Sequence, residues 1–273
     1  MEITDQEFNQ MRGLIYEHFG INLTDQKKSL LVSRLHKIME KAGDTSFKHY
    51  YNHLQNDLEA GDLGELIDHI STNHTFFNRE AAHFDYFSKV ALPQTVEAIR
   101  ASGQRDLRIW CAGCSSGQEP YMLLMLIREF LGSDHSHWDA GILATDISSR
   151  ALAKAERGVY PGNQVSQLPE GLKRKYMHRL AGEDWEVAAE LRKDSTFRRF
   201  NLMNEIFPFK KPFHIIFCRN VMIYFDSETR DRLVTKFHKA LAPNGYFFLG
   251  HAESVNHHLG LFKPLQPAVY QKI

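Results

Sequence analysis

The chain has 273 residues, of which 43% are hydrophobic and 24% charged, which suits a globular protein with one large α/β domain and a small helical one. Lys+Arg and Asp+Glu balance at 33 each, so no overall positive field favours nucleic acid and any basic patch must be local. The opening MEITDQEFNQ lacks the basic and apolar regions of a signal peptide, and no run reaches the roughly 18 apolar residues of a spanning helix, so a cytoplasmic protein without membrane insertion is expected.

Residues 1 to about 75 read as a small helical bundle. Thr4 and Glu7 form a capping-box pattern, followed by Phe8, Met11, Ile15 and Phe19 at helical spacing. Thr24 is placed to cap a second helix with Leu31, Leu35, Ile38 and Met39 on one face, closed by Gly43. Ser46 opens a third with Phe47, Tyr50, Tyr51 and Leu54, and a fourth carries Leu63, Leu66, Ile67 and Ile70. The polar and aromatic stretch 71–84 breaks this pattern. A helix follows from near Glu80 toward Ile99, with an interruption expected at Pro93. From Leu107 strands and helices alternate: LRIWCAG (107–113), the helix GQEPYMLLMLIREFL (117–131), AGILATDIS (140–148), a helix ended by Gly158, FHIIFCRN (213–220), a helix capped at Asp226 or Ser227, and late strands in 246–254 and 267–273. That alternation predicts a mostly parallel, doubly wound, Rossmann-like sheet. WEVAAELRKDSTFRRFNL (185–202) reads differently, as two strands facing each other across a polar RKDS turn.

In an open α/β sheet the ligand site lies beyond the carboxyl ends of the strands. After the first strand come Gly113-Cys114-Ser115-Ser116-Gly117-Gln118-Glu119, where small residues let backbone approach a ligand. After the second comes Asp146, a carboxylate able to accept both hydroxyls of a ribose. Glu119 sits where a pyrophosphate would need helix-start amides; it repels phosphate and welcomes an amino group. A ribose with a cationic amino-acid end fits S-adenosylmethionine better than a nicotinamide dinucleotide. The alternative is a plain strand-to-helix turn with a solvated Glu. The 15 histidines are scattered without a zinc-type ligand set, so no metal is expected and they read as surface or packing residues.

Four stretches together resemble the CheR family of chemotaxis protein-glutamate O-methyltransferases: TNHTFFNRE (72–80), GCSSGQEPY (113–121), TDIS (145–148) and CRNVMIYFD (218–226). The resemblance covers essentially the whole chain. Asn78 departs from the family pattern, in which the aromatic pair runs almost directly into Arg-Glu. The resemblance implies a helical N-terminal receptor-contacting domain (1–72), a linker and helix contributing to the cofactor site (73–100), and an S-adenosylmethionine-binding methyltransferase domain (101–273) with a β-hairpin subdomain near 180–200. It implies that Asn73, Thr75 and Arg79 contact the cofactor, with Arg79 at the methionyl carboxylate and near the methyl group. Glu119 would hold the amino end, Asp146 the ribose, and Asn201 and Leu202 the adenine. Arg219 and Asn220 would close the pocket. Arg79 and Tyr224 would be the catalytic pair, orienting a receptor glutamate that is already ionised and needs no strong base. The product cofactor is then S-adenosylhomocysteine, and the enzyme is expected to act as a monomer.

Lys27, Arg34 and Lys41 repeat every seven residues with Lys37 beside them, which reads either as a solvated face or as a contact for acidic chemoreceptor helices. Some family members bind a receptor C-terminal pentapeptide on the β-subdomain. A single glycine, Gly182, and a short stretch here favour a pentapeptide-independent enzyme. Three other readings compete. Trp110-Cys111-Ala112-Gly113-Cys114 resembles a thioredoxin-type W-C-x-x-C, although the three cysteines in all fit a reducing compartment. A receptor-binding module could keep the fold without turnover. A methyltransferase of the same fold could act on a small molecule or nucleic acid.

Overall fold

Thr4 starts the first helix as expected: its Oγ1 accepts from the Glu7 N–H at 3.2 Å while Glu7 Oε2 accepts from the Thr4 N–H at 2.9 Å. That helix, α1 (Asp5–Phe19), stops at Gly20. The computed structural model describes residues 3–42, 44, 46–56, 62–71 and 73–273, without the side chains of Leu30, Lys37, Lys41, Ala42, Asn56 and Asp62. Gly43, the expected end of the second helix, and Thr72, the expected domain boundary, lie outside the described residues. A 3-10 turn (Asp25–Lys27) separates Thr24 from α2 (Lys28–Ala42), and Thr24 makes no side-chain cap bond. Ser46 Oγ accepts from the His49 N–H ahead of α3 (Phe47–Asn56), and α4 (Asp62–Ile70) follows. Their apolar faces close into one cluster that includes Phe8, Met11, Ile15, Leu35, Leu54, Leu66 and Ile67. At about 1.5–3 kcal/mol per buried side chain, this face stabilises the four helices far more than their propensities do.

The connecting helix is broken one turn before the expected place. A five-residue π segment (Phe87–Ala91) lies between α5 (Ala81–Tyr86) and α6 (Leu92–Ala101), with Pro93 in the first turn of α6. Proline cannot donate to the preceding turn, and the wider π turn takes up the misfit on its N-terminal side.

The second region contains, in order, β1 (Ile109–Ala112), α7 (Gln118–Leu131), β2 (Ile142–Asp146), α8 (Ser149–Arg157), β3 (Val159–Pro161), α9 (Gly162–Val165), α10 (Glu170–Tyr176), β4 (Met177–Arg179), β5 (Asp184–Val187), α11 (Ala189–Lys193), β6 (Ser195–Arg199), β7 (Phe213–Cys218), α12 (Ser227–Ala240), β8 (Leu241–Leu249), β9 (Phe262–Gln266) and β10 (Val269–Lys272). The main sheet has seven strands in the order β6-β2-β1-β7-β8-β10-β9. It is parallel from β6 to β8, and β10 and β9 add antiparallel strands at one side. The order reverses at β1, with β2 on one side and β7 on the other. The ends of β1, β2 and β7 therefore meet at the switch point where such sheets bind ligands.

The expected hairpin across RKDS does not form. AELRK is a run of strong helix formers and makes α11, and the strand after it lies parallel to β2, with Thr145 opposite Arg198. Asp194, read as a turn residue, accepts instead from Arg128 on α7, at 2.6 Å from Nη2. A small antiparallel sheet does exist, but in the order β3-β5-β4, and Gly182 sits in its β4–β5 turn with φ 82°. Alternation in a sequence shows that a segment is a strand without naming its partner.

Candidate active site

Asp146 ends β2, and its carboxylate, 8% exposed, accepts the Ser115 N–H at 2.7 Å and the Ser148 N–H at 2.9 Å. Burial pushes this carboxyl up from its ordinary value, against the pull of those amides. The loop it grips leaves β1 through Gly113, at φ 87°, where an added Cβ would stand 2.3 Å from Val221. The turn after β7 is thus packed directly on the glycine loop. Each Asp146 oxygen keeps a lone pair beyond its amide bond, the chemistry needed to accept ribose hydroxyls.

Glu119, in the first turn of α7, accepts from Arg219 Nη1 at 2.6 Å and from the Cys111 thiol at 2.8 Å. Arg219, just past β7, is 5% exposed and also donates through Nη2 to the Arg79 carbonyl at 2.5 Å and to Glu80 at 3.1 Å. Burial drives the Glu80 carboxyl up, but the Asn220 hydrogen bond and the Arg219 charge together bring it below its ordinary value. Two carboxylates around one guanidinium leave this corner with one formal negative charge, which suits a cationic amino group.

Residues from both regions line one cavity of about 170 Å³. Asn73, Thr75 and Arg79 come from the linker; Glu119 and Asp146 from the sheet; Asn201 and Leu202 from the loop after β6; Arg219, Asn220 and Tyr224 from the turn after β7. All ten sequence-chosen residues therefore share one wall system. Their side chains differ in what they are free to do. Asn201 Nδ2 donates to the His18 carbonyl of α1 at 2.8 Å and its Oδ1 accepts from Met203 N–H, so this amide joins the two regions. Asn220 Nδ2 donates to Glu80 at 3.1 Å. Arg79 Nη1 donates to the His74 carbonyl at 2.7 Å. The departure at Asn78 is absorbed by a left-handed backbone, φ 60°, which asparagine tolerates.

Several wall residues were not legible beforehand. Phe19, Ile21, Leu23 and Lys27 reach the cavity from the helical region. Lys27 lies over the Tyr224 ring, 5.2 Å from its centroid, and the Tyr224 carbonyl accepts the Asn22 N–H at 2.8 Å. Nothing local in α1 or the loop after it announces a partner two hundred residues away. The basic stripe is also not a uniformly free face: half-buried Arg34 donates to the Ile70 carbonyl at the end of α4, while the Lys37 and Lys41 side chains lie outside the description.

The thiol-redox alternative loses its basis. Cys111 and Cys114 are fully buried, and burial, followed for Cys111 by the Glu119 charge, pushes their thiols well up. A redox nucleophile needs electropositive, accessible surroundings. The histidines are less scattered than expected, since Glu80, His83 and His251 offer ligand atoms within 4.8 Å of one another. Yet both Glu80 oxygens already accept hydrogen bonds, one of them from Arg219, whose fixed positive charge would oppose a cation there.

Two buried polar atoms at the cavity, Ser115 Oγ and Arg219 Nε, have no partner among the described residues. With Asp146 on one side and the net-negative Glu80–Arg219–Glu119 corner on the other, the donor set fits a zwitterionic amino acid joined to a nucleoside. The switch-point cavity, the β2 carboxylate and the glycine loop define a methyltransferase that uses S-adenosyl-L-methionine.

The comparisons narrow the class. Residues 73–270 match the family described as CheR methyltransferase, SAM binding domain, and residues 6–71 match CheR methyltransferase, all-alpha domain. The chain belongs to the CheR methyltransferase family. It is 42% identical over 272 residues to the chemotaxis protein methyltransferase of Borreliella burgdorferi, covering 100% of this chain and 96% of that protein. It is 34% identical over 260 residues to that of Escherichia coli, covering 94% and 87%. To chemotaxis protein methyltransferase 2 of Pseudomonas aeruginosa it is 36% identical over 270 residues, covering 98% and 93%. Among the described residues no helix is long and apolar enough to cross a membrane.

Proposed function

We propose that this chain transfers a methyl group to glutamate side chains of bacterial chemoreceptors, forming glutamyl methyl esters for chemotactic adaptation. The observation that carries this reading is the wall around Tyr224, where a phenol, Lys27 and Arg79 border one cavity with Asp146 and Glu119 at its other reaches. A wall of one hydroxyl and two cations attracts and orients a carboxylate. When bound, S-adenosylmethionine supplies a methyl carbon on a sulfonium, electrophilic enough for an ionised carboxylate to take without prior loss of a proton.

In this reading Asp146 accepts from the ribose hydroxyls, and Glu119 holds the amino end. Asn73, Thr75 and Arg79 contact the methionyl part, Leu202 and the Asn201 backbone border the adenine, and Asn220 closes the pocket through its bond to Glu80. Arg219 keeps Glu119 and the linker in place. Arg79 and Tyr224 align the acceptor oxygen, and the helical region screens the site from water. Residues 1–72 serve receptor contact, 73–100 link the two regions, and 101–273 hold the cofactor. Lys27, on the cavity wall, and Arg34 on α2 belong to the side toward acidic receptor helices, and Lys37 and Lys41 follow in sequence on the same helix. The relatives' printed role in chemotaxis supports this substrate class.

The test is transfer of tritiated methyl to a receptor-containing membrane fraction, followed by mild base. Volatile methanol released from receptor bands is the expected result. Base-stable label, or cofactor binding with no transfer, would remove the glutamyl-ester reading.

A further inference from the structure

The turn from Arg219 to Tyr224 carries four of the cavity residues, yet only its last part is regular. It leaves β7 at Cys218, passes Asn220 at φ 58° and makes a single 3-10 turn at Met222–Tyr224 before Asp226 caps α12. The N–H groups that follow a strand need partners when water is excluded. Here one side chain takes two of them. Glu253, in the loop after β8 and 6% exposed, accepts the Asn220 N–H at 2.8 Å through Oε2 and the Ile223 N–H at 3.2 Å through Oε1. Its Oε2 also accepts the Gly250 N–H at 2.6 Å.

Among the described residues no cation is paired with this carboxylate, so three main-chain amides hold it and are held by it in turn. The fit is close. An added Cβ on Gly250 would lie 2.4 Å from Asn220 Nδ2 and 2.8 Å from Asn220 N. Glu80 braces the same junction from the linker, accepting from Asn220 Nδ2 and the His251 N–H. Glu253 itself does not line the cavity.

We propose that Glu253 is a positioning residue for methyl transfer, fixing the turn that presents Tyr224 without touching cofactor or acceptor. The inference rests on the reading of Tyr224 given above. Glutamine has the same shape but turns an NH2 toward amide donors, so Glu253→Gln must disturb the arrangement at one oxygen or the other. Gly250→Ala crowds the same junction, pressing on Asn220 and, at 2.9 Å, on Glu253 Oε2, while keeping the carboxylate's charge and acceptors.

Full-length Glu253→Gln and Gly250→Ala are compared with the parent by calorimetric titration with S-adenosylhomocysteine and by steady-state methylation of receptor. The expected result is a kcat lower by about tenfold or more in each, with Kd changed less than about threefold. Combined with Tyr224→Phe, Glu253→Gln should cost less than the product of the single effects, because both act through one turn. An unchanged kcat, a parallel loss of kcat and affinity, or a fully multiplicative double variant would overturn the proposal. Tyr224→Phe alone decides the separate question: if its kcat is unchanged the Tyr224 reading falls, while Glu253 is still judged on its own split between kcat and Kd. Should Glu253→Gln fail to fold, Gly250→Ala carries the same split.

Discussion

At one end of the cavity Asp146 finishes a strand flanked by β1 and β6, and two amides from adjoining loops complete its carboxylate. At the other end Arg219 joins a strand end, the linker and α7 through Arg79, Glu80 and Glu119, and Glu253 ties in the loop after β8. The first end is held by neighbouring backbone on a rigid frame. The second is assembled from charges far apart in the chain. Such an assembly is precise only while every member is present.

The largest expected effect breaks the second end. Arg219→Met should lower unfolding stability by about 3–5 kcal/mol, because it strands two carboxylates that are mostly buried. Urea unfolding checks this, and a midpoint equal to the parent's would show that the corner does not depend on its charge. Asp146→Ala addresses the first end. Loss of a charge-assisted hydrogen bond worth about 1.5–3 kcal/mol should weaken S-adenosylmethionine binding tenfold or more. Unchanged affinity by calorimetry in the folded variant would take Asp146 out of the site. Tyr224→Phe is smaller and cleaner. A neutral hydrogen bond of about 0.5–1.5 kcal/mol predicts a kcat lower by roughly two- to tenfold with cofactor affinity intact. An equal fall in both would make Tyr224 a packing residue.

The same contrast explains what could be read beforehand. The Asp146 end follows from local pattern: an apolar strand, an acid at its close and a glycine loop before an apolar helix. Capping at Thr4, Ser46 and Asp226 is legible for the same reason, since donor and acceptor lie within three residues. Arg79 and Tyr224 came only through family resemblance; each is an ordinary residue until the chain folds. Glu253 has one local partner, the Gly250 N–H, but the two amides that tie it to the turn after β7 are 30 and 33 positions away, so its sequence gave no sign of that role. The misread hairpin has a related cause. Strand pairing is settled by the whole sheet, and β6 found β2 across fifty residues rather than β5 across seven.

The last expected effect concerns pH and separates the two ends by sign. His83, 1% exposed, lies behind the Arg219 corner against Phe248 and His251. Burial, then the Arg219 charge, lowers its pKa from 6.5 to about 4, with Glu80 opposing in part. In the unfolded chain this imidazole takes up a proton as pH falls through 6.5; in the folded chain it stays neutral until about 4. The unfolded state therefore binds more protons across that window, and stability falls as pH falls. His214, also lowered to about 4, by burial and Arg108, adds a contribution of the same sign elsewhere. Asp146 runs the other way: its pKa is raised, so its share of stability is present at low pH and is lost as pH rises through the folded value. Unfolding midpoints of the parent and of His83→Gln, measured from pH 4.5 to 7, should diverge in slope. The variant should keep the part due to His214 and lose up to one proton's worth of dependence. Identical slopes would mean that His83 titrates alike in both states, and that the charged corner does not reach the residue packed behind it.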